Sequence, residues 1–257
     1  MSDIPIYLVS MVSDSARREQ ISQAFPDSYP GMILTNAVDG RELPAQTYFQ
    51  YISSAMENHH RILSPAEVGC TLSHLKVLEQ FLEGGAERAI ILEDDVIGDD
   101  QGLQRSVEIV QGIPEDAVII LGGQEGMPSR KYIFGKPAGV SDVFKLPPYS
   151  HHHVFRTCCY GVTRYSAAQI VATQKRSLKL ADAWPLLARG GDFSLYFSHD
   201  LAHPVDRSNS HIELGRASIS AKKNKGFKAF WLKRLTRLKR RAGASWCRLR
   251  GYRKILF

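Results

Sequence analysis

The sequence has few cysteines, no long apolar run and no acidic residue near its carboxyl end. Its 257 residues include four cysteines, of which two are adjacent, and none has the spacing of a disulfide framework or a zinc site. We therefore expect reduced thiols in a cytoplasmic protein. No stretch approaches the roughly 18–20 apolar residues of a membrane span. Residues 1–7 lack a charged n-region and a cleavage site, so we expect no signal peptide.

The absence of acid is confined to one segment. From Ala217 to Phe257 there are 14 Lys and Arg and no Asp or Glu. Since the whole chain has 33 Lys and Arg against 26 Asp and Glu, residues 1–216 retain 19 bases and all 26 acids, a net charge of −7. This asymmetry predicts an acidic domain over residues 1–216 and a basic tail over residues 217–257, which favours an anionic partner.

The tail has apolar residues at helical spacing. They are Phe227, Phe230, Trp231, Leu235 and Leu238. Basic residues occupy most of the remaining surface of such a helix, a pattern typical of a basic amphipathic helix at an anionic membrane surface. The alternative is a helix packed on the body with solvated bases. We expect no nucleic-acid partner, because the acidic body offers no second basic surface.

The body alternates apolar strand patterns with helical patterns. The predicted strands are Ile4–Val9, Met32–Thr35, Arg88–Leu92, Ala117–Leu121 and Cys158–Val162, with Leu195–Phe197 and Ala202–Val205 less clear. The predicted helices begin near Ser13 or Asp14, at Ser64 with a capping box to Glu67, and over Leu103–Val110 and Ser166–Thr173. This order predicts an α/β fold with a mixed, mostly parallel sheet and ligands at the carboxyl ends of its strands. Residues 124–156 show little apolar periodicity, so we expect a long loop or a hairpin excursion there.

Three consecutive acids, Glu93, Asp94 and Asp95, follow the central predicted strand. Their charges repel one another, and a divalent cation would relieve that repulsion because Mg²⁺ and Mn²⁺ prefer carboxylate oxygen ligands. The alternative is a solvated loop that caps the next helix. His151, His152 and His153 do not predict a metal site, since neighbours in an extended segment point to alternating sides.

Four stretches carry a resemblance to a known family. They are Pro5–Ser10 with Ala16-Arg17-Arg18, Ala37–Gly40, Ser64–His74 and Ala89–Val96. With these motifs the body resembles the bacterial lipooligosaccharide glycosyltransferases of family 25. The resemblance implies a GT-A-like nucleotide-sugar fold and an inverting hexosyltransferase that uses Mn²⁺ or Mg²⁺. It also implies a UDP-sugar donor, with galactose as the expected hexose, a lipid-linked oligosaccharide acceptor, and a place on the inner face of the bacterial inner membrane.

The resemblance also implies roles for single residues at the reaction centre. Asp95, with help from Glu93, would hold the metal, and His203 or His211 would supply a third ligand, with His211 preferred. Asp182 would take the proton of the acceptor hydroxyl; alternatively it caps the segment at Trp184. Trp184 itself could stack on a sugar or belong to the core.

The remaining matched positions are expected near the nucleotide. They are Ser10, Arg17, Asp39, Ser73, His74 and Asp94. Alternatives remain for three of them: Arg17 on a solvated helix face, Asp39 as a turn residue and His74 as a hydrogen-bonded core histidine. Two other functions stay open, namely a metal-dependent phosphodiesterase or nuclease, and a non-catalytic membrane- or nucleic-acid-binding protein with a degenerate fold.

Overall fold

The computed structural model describes residues 4–59, 62–139, 142–206 and 227–255. In these ranges a nine-stranded mixed sheet has the order β2-β1-β3-β7-β4-β8-β6-β5-β9. The strands are β1 Ile6–Ser10, β2 Ile33–Asn36, β3 Arg88–Glu93, β4 Ala117–Gly122, β5 Phe134–Pro137, β6 Phe144–Lys145, β7 Cys159–Thr163, β8 Ser194–Leu201 and β9 Arg253–Lys254. Six of them run in one direction, and β7, β6 and β9 run against it. The predicted mixed α/β sheet is confirmed.

Helices cover both faces of the sheet. The described α-helices are α1 Ser15–Ala24, α2 Ala45–His59, α3 Pro65–Glu83, α4 Asp100–Gly112, α5 Pro148–His151, α6 Arg164–Arg176, α7 Trp184–Gly191 and α8 Phe227–Leu249. Apolar side chains of α3, α6 and α7 pack on one face, and those of α1 and α4 pack on the other. With helices on both faces, the central strands are almost wholly buried, which explains their continuous apolar sequences.

Most of the predicted elements are present, with three differences. The capping box of α3 is formed: Glu67 N donates to Ser64 Oγ, and Ser64 N donates to Glu67 Oε2. Asp14 occupies the N-cap of α1 without a side-chain capping bond. The two late strand predictions are wrong in detail, because β8 is one strand of eight residues. Neither α2 nor the reversed direction of β7 was expected, since apolar patterns carry no information about strand direction.

Residues 124–156 form the predicted excursion. β5 and β6 are its antiparallel hairpin, and α5 follows directly. The assumption of an extended segment at His151 is wrong, because α5 ends at that residue. His151 and His153 are buried, whereas His152 is exposed.

The carboxyl-terminal segment returns to the sheet. After α8, β9 pairs antiparallel with β5, and Ile255 is buried. Within the described ranges, no helix is long and apolar enough to cross a membrane.

Candidate active site

A small cavity of about 130 Å³ lies at the carboxyl ends of β1 and β3. Its lining includes all six residues expected near the nucleotide: Ser10, Arg17, Asp39, Ser73, His74 and Asp94. The acids Glu93 and Asp95 line it as well. Parallel strands end at the same edge of a sheet, so residues far apart in sequence meet here. We call this space the strand-end cavity.

Arg17 crosses from α1 to the acidic segment. Its Nη1 lies 3.0 Å from Asp94 Oδ1, so the reading of Arg17 as a purely solvated residue is wrong. Burial raises the pKa of Asp94 above its ordinary value, although hydrogen bonds from Ser10 and Arg17 act in the opposite direction. The neighbouring Arg18 donates to Ser10 Oγ at 3.0 Å. Arg17 therefore brings a guanidinium group to the strand-end cavity, and Arg18 orients the Ser10 hydroxyl that also lines it.

The loop of residues 37–41 sits directly on the start of α3. A Cβ added at Gly40 would lie 1.8 Å from the carbonyl oxygen of Pro65, and one added at Gly69 would lie 2.5 Å from the Gly40 nitrogen. Ser73 Oγ accepts from Val38 N at 2.8 Å and donates to Gly69 O at 2.8 Å. The Ser73 hydroxyl thus holds the loop, and both of its hydrogen bonds are to the protein backbone.

Asp39 is held at the rim of the same cavity. Arg41 Nε lies 2.8 Å from Asp39 Oδ1, and the Arg41 backbone nitrogen donates to the same oxygen at 2.9 Å. The second contact is the turn bond that the alternative reading expected. The turn therefore orients a carboxylate that lines the cavity.

A buried hydrogen-bond chain reaches Glu93. His74 Nδ1 lies 3.0 Å from the Tyr160 hydroxyl, and His74 Nε2 lies 3.2 Å from Glu93 Oε1. Thr157 Oγ1 donates to the same Glu93 oxygen at 2.6 Å. Burial favours a higher pKa for Glu93, but these hydrogen bonds outweigh it and hold the pKa below its ordinary value. His74 is thus buried, as the alternative expected, and it orients an acid of the site.

Asp95 faces an imidazole. Its Oδ2 lies 3.3 Å from His203 Nε2, and its Oδ1 is buried without a hydrogen-bond partner in the described part of the chain. His203 Nδ1 lies 2.7 Å from the Pro204 carbonyl, an acceptor only, so Nδ1 carries the proton. A proton on Nε2 would be donated to Asp95 Oδ2, whereas a bare Nε2 would face that oxygen as a second acceptor, with room for a cation between them.

The fit of a divalent metal can be judged on these atoms. No three His, Cys, Asp or Glu side chains in the described ranges form a group that could hold an ion by itself. Asp95 and His203 nevertheless offer a carboxylate and an oriented imidazole nitrogen, and Mg²⁺-type ions commonly take only one or two protein ligands beside substrate phosphates. The pair fits such an ion. His211, the preferred ligand in the sequence analysis, lies outside the described residues.

A larger cavity of about 750 Å³ adjoins the strand-end cavity, and we call it the wide cavity. Glu93, Asp95 and Cys70 line both spaces, and Asp182 lines only the wide one. Burial raises the pKa of the Cys70 thiol well above its ordinary value, and the charges of Glu93, Asp182 and Asp95 raise it further. Glu93 and Asp95 therefore stand between the two cavities, and Asp182 shares the wide cavity with them.

Asp182 does not cap α7. Ala183 is the N-cap residue of that helix and makes no side-chain cap bond, whereas Asp182 Oδ2 accepts from Arg156 N at 3.0 Å. Trp184 is 1% exposed and donates from Nε1 to Arg156 O at 3.2 Å. Stacking of Trp184 on a sugar is therefore excluded, and the reading as a core aromatic is confirmed.

Several site residues were missed from the sequence. Arg156 adopts a φ of 68°, rare for a residue with a side chain, and its backbone holds both Asp182 and Trp184. Thr157 and Tyr160 contact Glu93 and His74. Arg156 and Thr157 lie in or beside the non-periodic excursion, and the strand pattern around Tyr160 does not show what its hydroxyl contacts.

The fold and the two adjoining cavities define a mixed α/β protein with a cluster of acids at the carboxyl end of β3. Residues 3–131 match the family model described as glycosyltransferase family 25 (LPS biosynthesis protein). The chain belongs to glycosyltransferase family 25, and the resemblance noted in the sequence is confirmed.

Curated relatives are more distant. The chain is 24% identical over 96 residues to procollagen galactosyltransferase 1 of Danio rerio, and 26% identical over 110 residues to a glycosyltransferase 25 family member of Drosophila melanogaster. A Rattus norvegicus relative, named probable inactive glycosyltransferase 25 family member 3, is 24% identical over 113 residues. These matches span 35%, 41% and 42% of this chain but only 16%, 18% and 20% of the relatives.

Solved structures show weak overall likeness. A mannose-1-phosphate geranyltransferase from Thermus thermophilus has a TM-score of 0.43 at 12% identity, covering 79% of this chain and 75% of its own. An inositol-1-phosphate CTP transferase from T. maritima has a TM-score of 0.42 at 8% identity, covering 88% and 99%.

Proposed function

We propose that this protein is a metal-dependent hexosyltransferase that moves galactose from a UDP-sugar to the growing oligosaccharide of lipooligosaccharide or lipopolysaccharide. The family description names LPS biosynthesis, and one relative is named a galactosyltransferase. Those names support the choice of sugar and acceptor. The observation that carries the proposal is the pair Asp95 and His203 at the boundary of the two cavities.

The strand-end cavity would hold only part of the nucleotide diphosphate, since its volume of about 130 Å³ is smaller than a whole nucleotide needs. Arg17 lines the cavity and supplies positive charge for the phosphate groups. A cation held by Asp95 and His203 would supply charge neutralisation of the diphosphate leaving group. Glu93 has a fixed orientation, because His74 and Thr157 both bond to Oε1.

The wide cavity would hold the acceptor. Asp182 lines it, and the hydrogen bond from the Arg156 backbone fixes one of the two Asp182 carboxylate oxygens. We propose that this carboxylate takes the proton from the acceptor hydroxyl as the new glycosidic bond forms. Glu93 and Asp95 line the same cavity as Asp182, which would place the donor and the acceptor on either side of the Glu93–Asp95 segment.

The test measures UDP release by the full chain with a panel of UDP-sugars, Mn²⁺ and a lipooligosaccharide acceptor. We expect release above background with UDP-galactose and its loss on chelation. Asp95→Asn should lower turnover at least about 100-fold, since it weakens charge stabilisation of the leaving group. Mn²⁺ binding, followed by electron paramagnetic resonance, should fall in the same variant and in His203→Ala.

The matched control is Asp27→Asn, the same substitution at an exposed position that lines neither cavity. Normal turnover after chelation or in Asp95→Asn would refute the metal assignment. Absence of UDP release and of UDP-sugar binding would refute the transferase itself. Cleavage of nucleic acid by the wild-type chain would favour the phosphodiesterase alternative.

A further inference from the structure

The described part of α8 has a docked face and an opposite, exposed face. On the docked face, Gly243 lies against Tyr149, since an added Cβ would be 2.2 Å from its ring. The Tyr149 hydroxyl donates to Arg240 O at 2.9 Å, and Cys247 is fully buried. The helix is therefore packed on the body, through a small residue, a backbone carbonyl and a thiol.

The helix is also held at its end. The turn after it leads into β9, which pairs with β5, and Ile255 is buried in the core. Lys136 on β5 lies 4.7 Å from the ring centroid of Tyr252, which in turn stacks on Trp246. These contacts set the rotation of the second half of α8 about its axis, and hence which face is exposed.

The exposed face is apolar. At 100° per residue, Leu235, Leu238, Ala242, Trp246 and Leu249 fall within an arc of about 80° on the side away from Cys247. The three leucines are 51%, 54% and 88% exposed, and Trp246 is 44% exposed. Single exposed leucines need no explanation, but a continuous stripe along four turns marks a binding surface. Leu235 and Leu238 belong to the apolar pattern predicted from the sequence, and the stripe continues that pattern to Leu249. The helix is packed on the body, as the alternative expected, and it also has an exposed apolar face.

Cations border the stripe. At the same 100° per residue, the exposed bases Lys239 and Arg250 follow one edge, and Arg234 and Arg241 follow the other. The whole segment of residues 217–257 contains no acid to oppose them. An apolar arc between rows of Lys and Arg matches the acyl boundary and the anionic headgroups of a bilayer surface.

We propose that this face of α8 binds the surface of an anionic lipid bilayer, with the leucines and Trp246 inserted at the interface. A nucleic acid would use the bases and leave the leucines in water. A second copy of the chain would bring two segments of like charge together. The lipid surface is the partner that uses both the apolar arc and its cationic borders.

The surface is joined to the wide cavity. α8 docks on Tyr149 of α5, and His151 and His152, at the end of that helix, line the wide cavity. Bilayer binding would thus hold one wall of the acceptor cavity near a lipid-linked substrate. This last consequence rests on the proposed function, whereas lipid binding does not.

The test is co-sedimentation of the full chain with phosphatidylcholine vesicles, with and without phosphatidylglycerol. We expect binding only when the anionic lipid is present, and weaker binding in high salt. The variant Leu235→Glu/Leu238→Glu should lower the affinity at least about tenfold. Arg234→Gln/Lys239→Gln/Arg241→Gln should lower it about 100-fold, at about fivefold for each lost cation.

The matched control is Phe49→Glu/Met56→Glu, which places the same charges on exposed apolar positions of α2. It should bind vesicles as the wild type does. Equal affinity of the wild type and the leucine variant, with both folded by circular dichroism, would overturn the proposal. So would vesicle-free dimerisation or nucleic-acid binding without vesicle binding. UDP release from a soluble acceptor, measured in parallel, separates loss of membrane binding from loss of catalysis.

Discussion

The strand-end cavity and the wide cavity share three residues but are built in different ways. The strand-end cavity is formed by the ends of regular strands, the start of α3 and one five-residue loop. The wide cavity is formed largely by the segments of residues 151–158 and 180–186, with His203 from the segment that follows β8. Short sequence motifs therefore specify the strand-end cavity, whereas the wide cavity depends on contacts between segments that are far apart in the sequence.

The two constructions place different constraints on the residues. At the strand-end cavity, Gly40 and Gly69 allow backbones to touch, and Ser73 bonds to backbone on both sides. Few other residue types are compatible with such contacts. In the wide cavity, Asp182 and Trp184 are instead held by the backbone of Arg156, which depends less on the identity of its side chain. A protein that keeps its donor and changes its acceptor would vary the second cavity.

The largest expected effect is a loss of turnover without a loss of donor binding, which would show that the two cavities have separate roles. Asp182→Asn should lower kcat by about 10²- to 10⁴-fold, because an amide cannot accept the acceptor's proton. UDP-sugar binding, measured by calorimetry, should be unchanged, since Asp182 lies outside the strand-end cavity. Asp192→Asn, an exposed position at the end of α7, serves as the control. A large loss of donor affinity in Asp182→Asn would show that the cavities do not have separate roles.

A smaller effect tests the backbone contact beneath the strand-end cavity. Gly40→Ala should lower the free energy of unfolding by about 1–3 kcal/mol, because the new methyl group meets the Pro65 carbonyl oxygen. Donor affinity should fall with it as the loop moves. Gly31→Ala is the control, since an added Cβ there meets nothing within 4 Å. Thermal unfolding and donor calorimetry measure both quantities, and wild-type values for Gly40→Ala would contradict the tight packing.

The smallest effect is a pH dependence of folding stability, which we expect from buried histidines near the wide cavity. Burial lowers the pKa of His151 and His153 from 6.5 to about 4. The unfolded chain therefore binds more protons than the folded chain between these values, and stability is lost as the pH falls from about 6.5 to 4. His153→Phe keeps an aromatic ring beside Tyr149 and Tyr132 and removes one proton site.

In that variant the acid-induced fall in Tm should be about 2–4 °C smaller than in the wild type. Burial also lowers the pKa of His199, so part of the fall should remain. His152→Phe, at an exposed position, should keep most of the fall, because the charge of His152 is a smaller cause of the lowered pKa values than burial is. Identical pH profiles for the wild type and His153→Phe would contradict the buried, neutral state of this histidine.

Much of the strand-end cavity could be predicted from the sequence. Its six residues lie in contiguous motifs at the ends of apolar strands, so a parallel arrangement brings them together whatever the remaining topology. His203 was one of two candidate metal ligands, and nothing in the sequence around it favoured His203 over His211. Its contact with Asp95 depends on β8 lying beside β4, a non-local pairing that periodicity does not encode.

The sequence by itself determined the α/β class, the acidic site at the end of β3, the family and the basic amphipathic character of the tail. Each of these follows from local order: apolar period, cap residues, motif spacing and charge run. Only the tertiary structure decided which ring meets Asp95, that Trp184 belongs to the core, and which face of α8 is exposed. These depend on contacts between segments far apart in the chain, such as Tyr149 with Arg240, and on the rotation that those contacts impose.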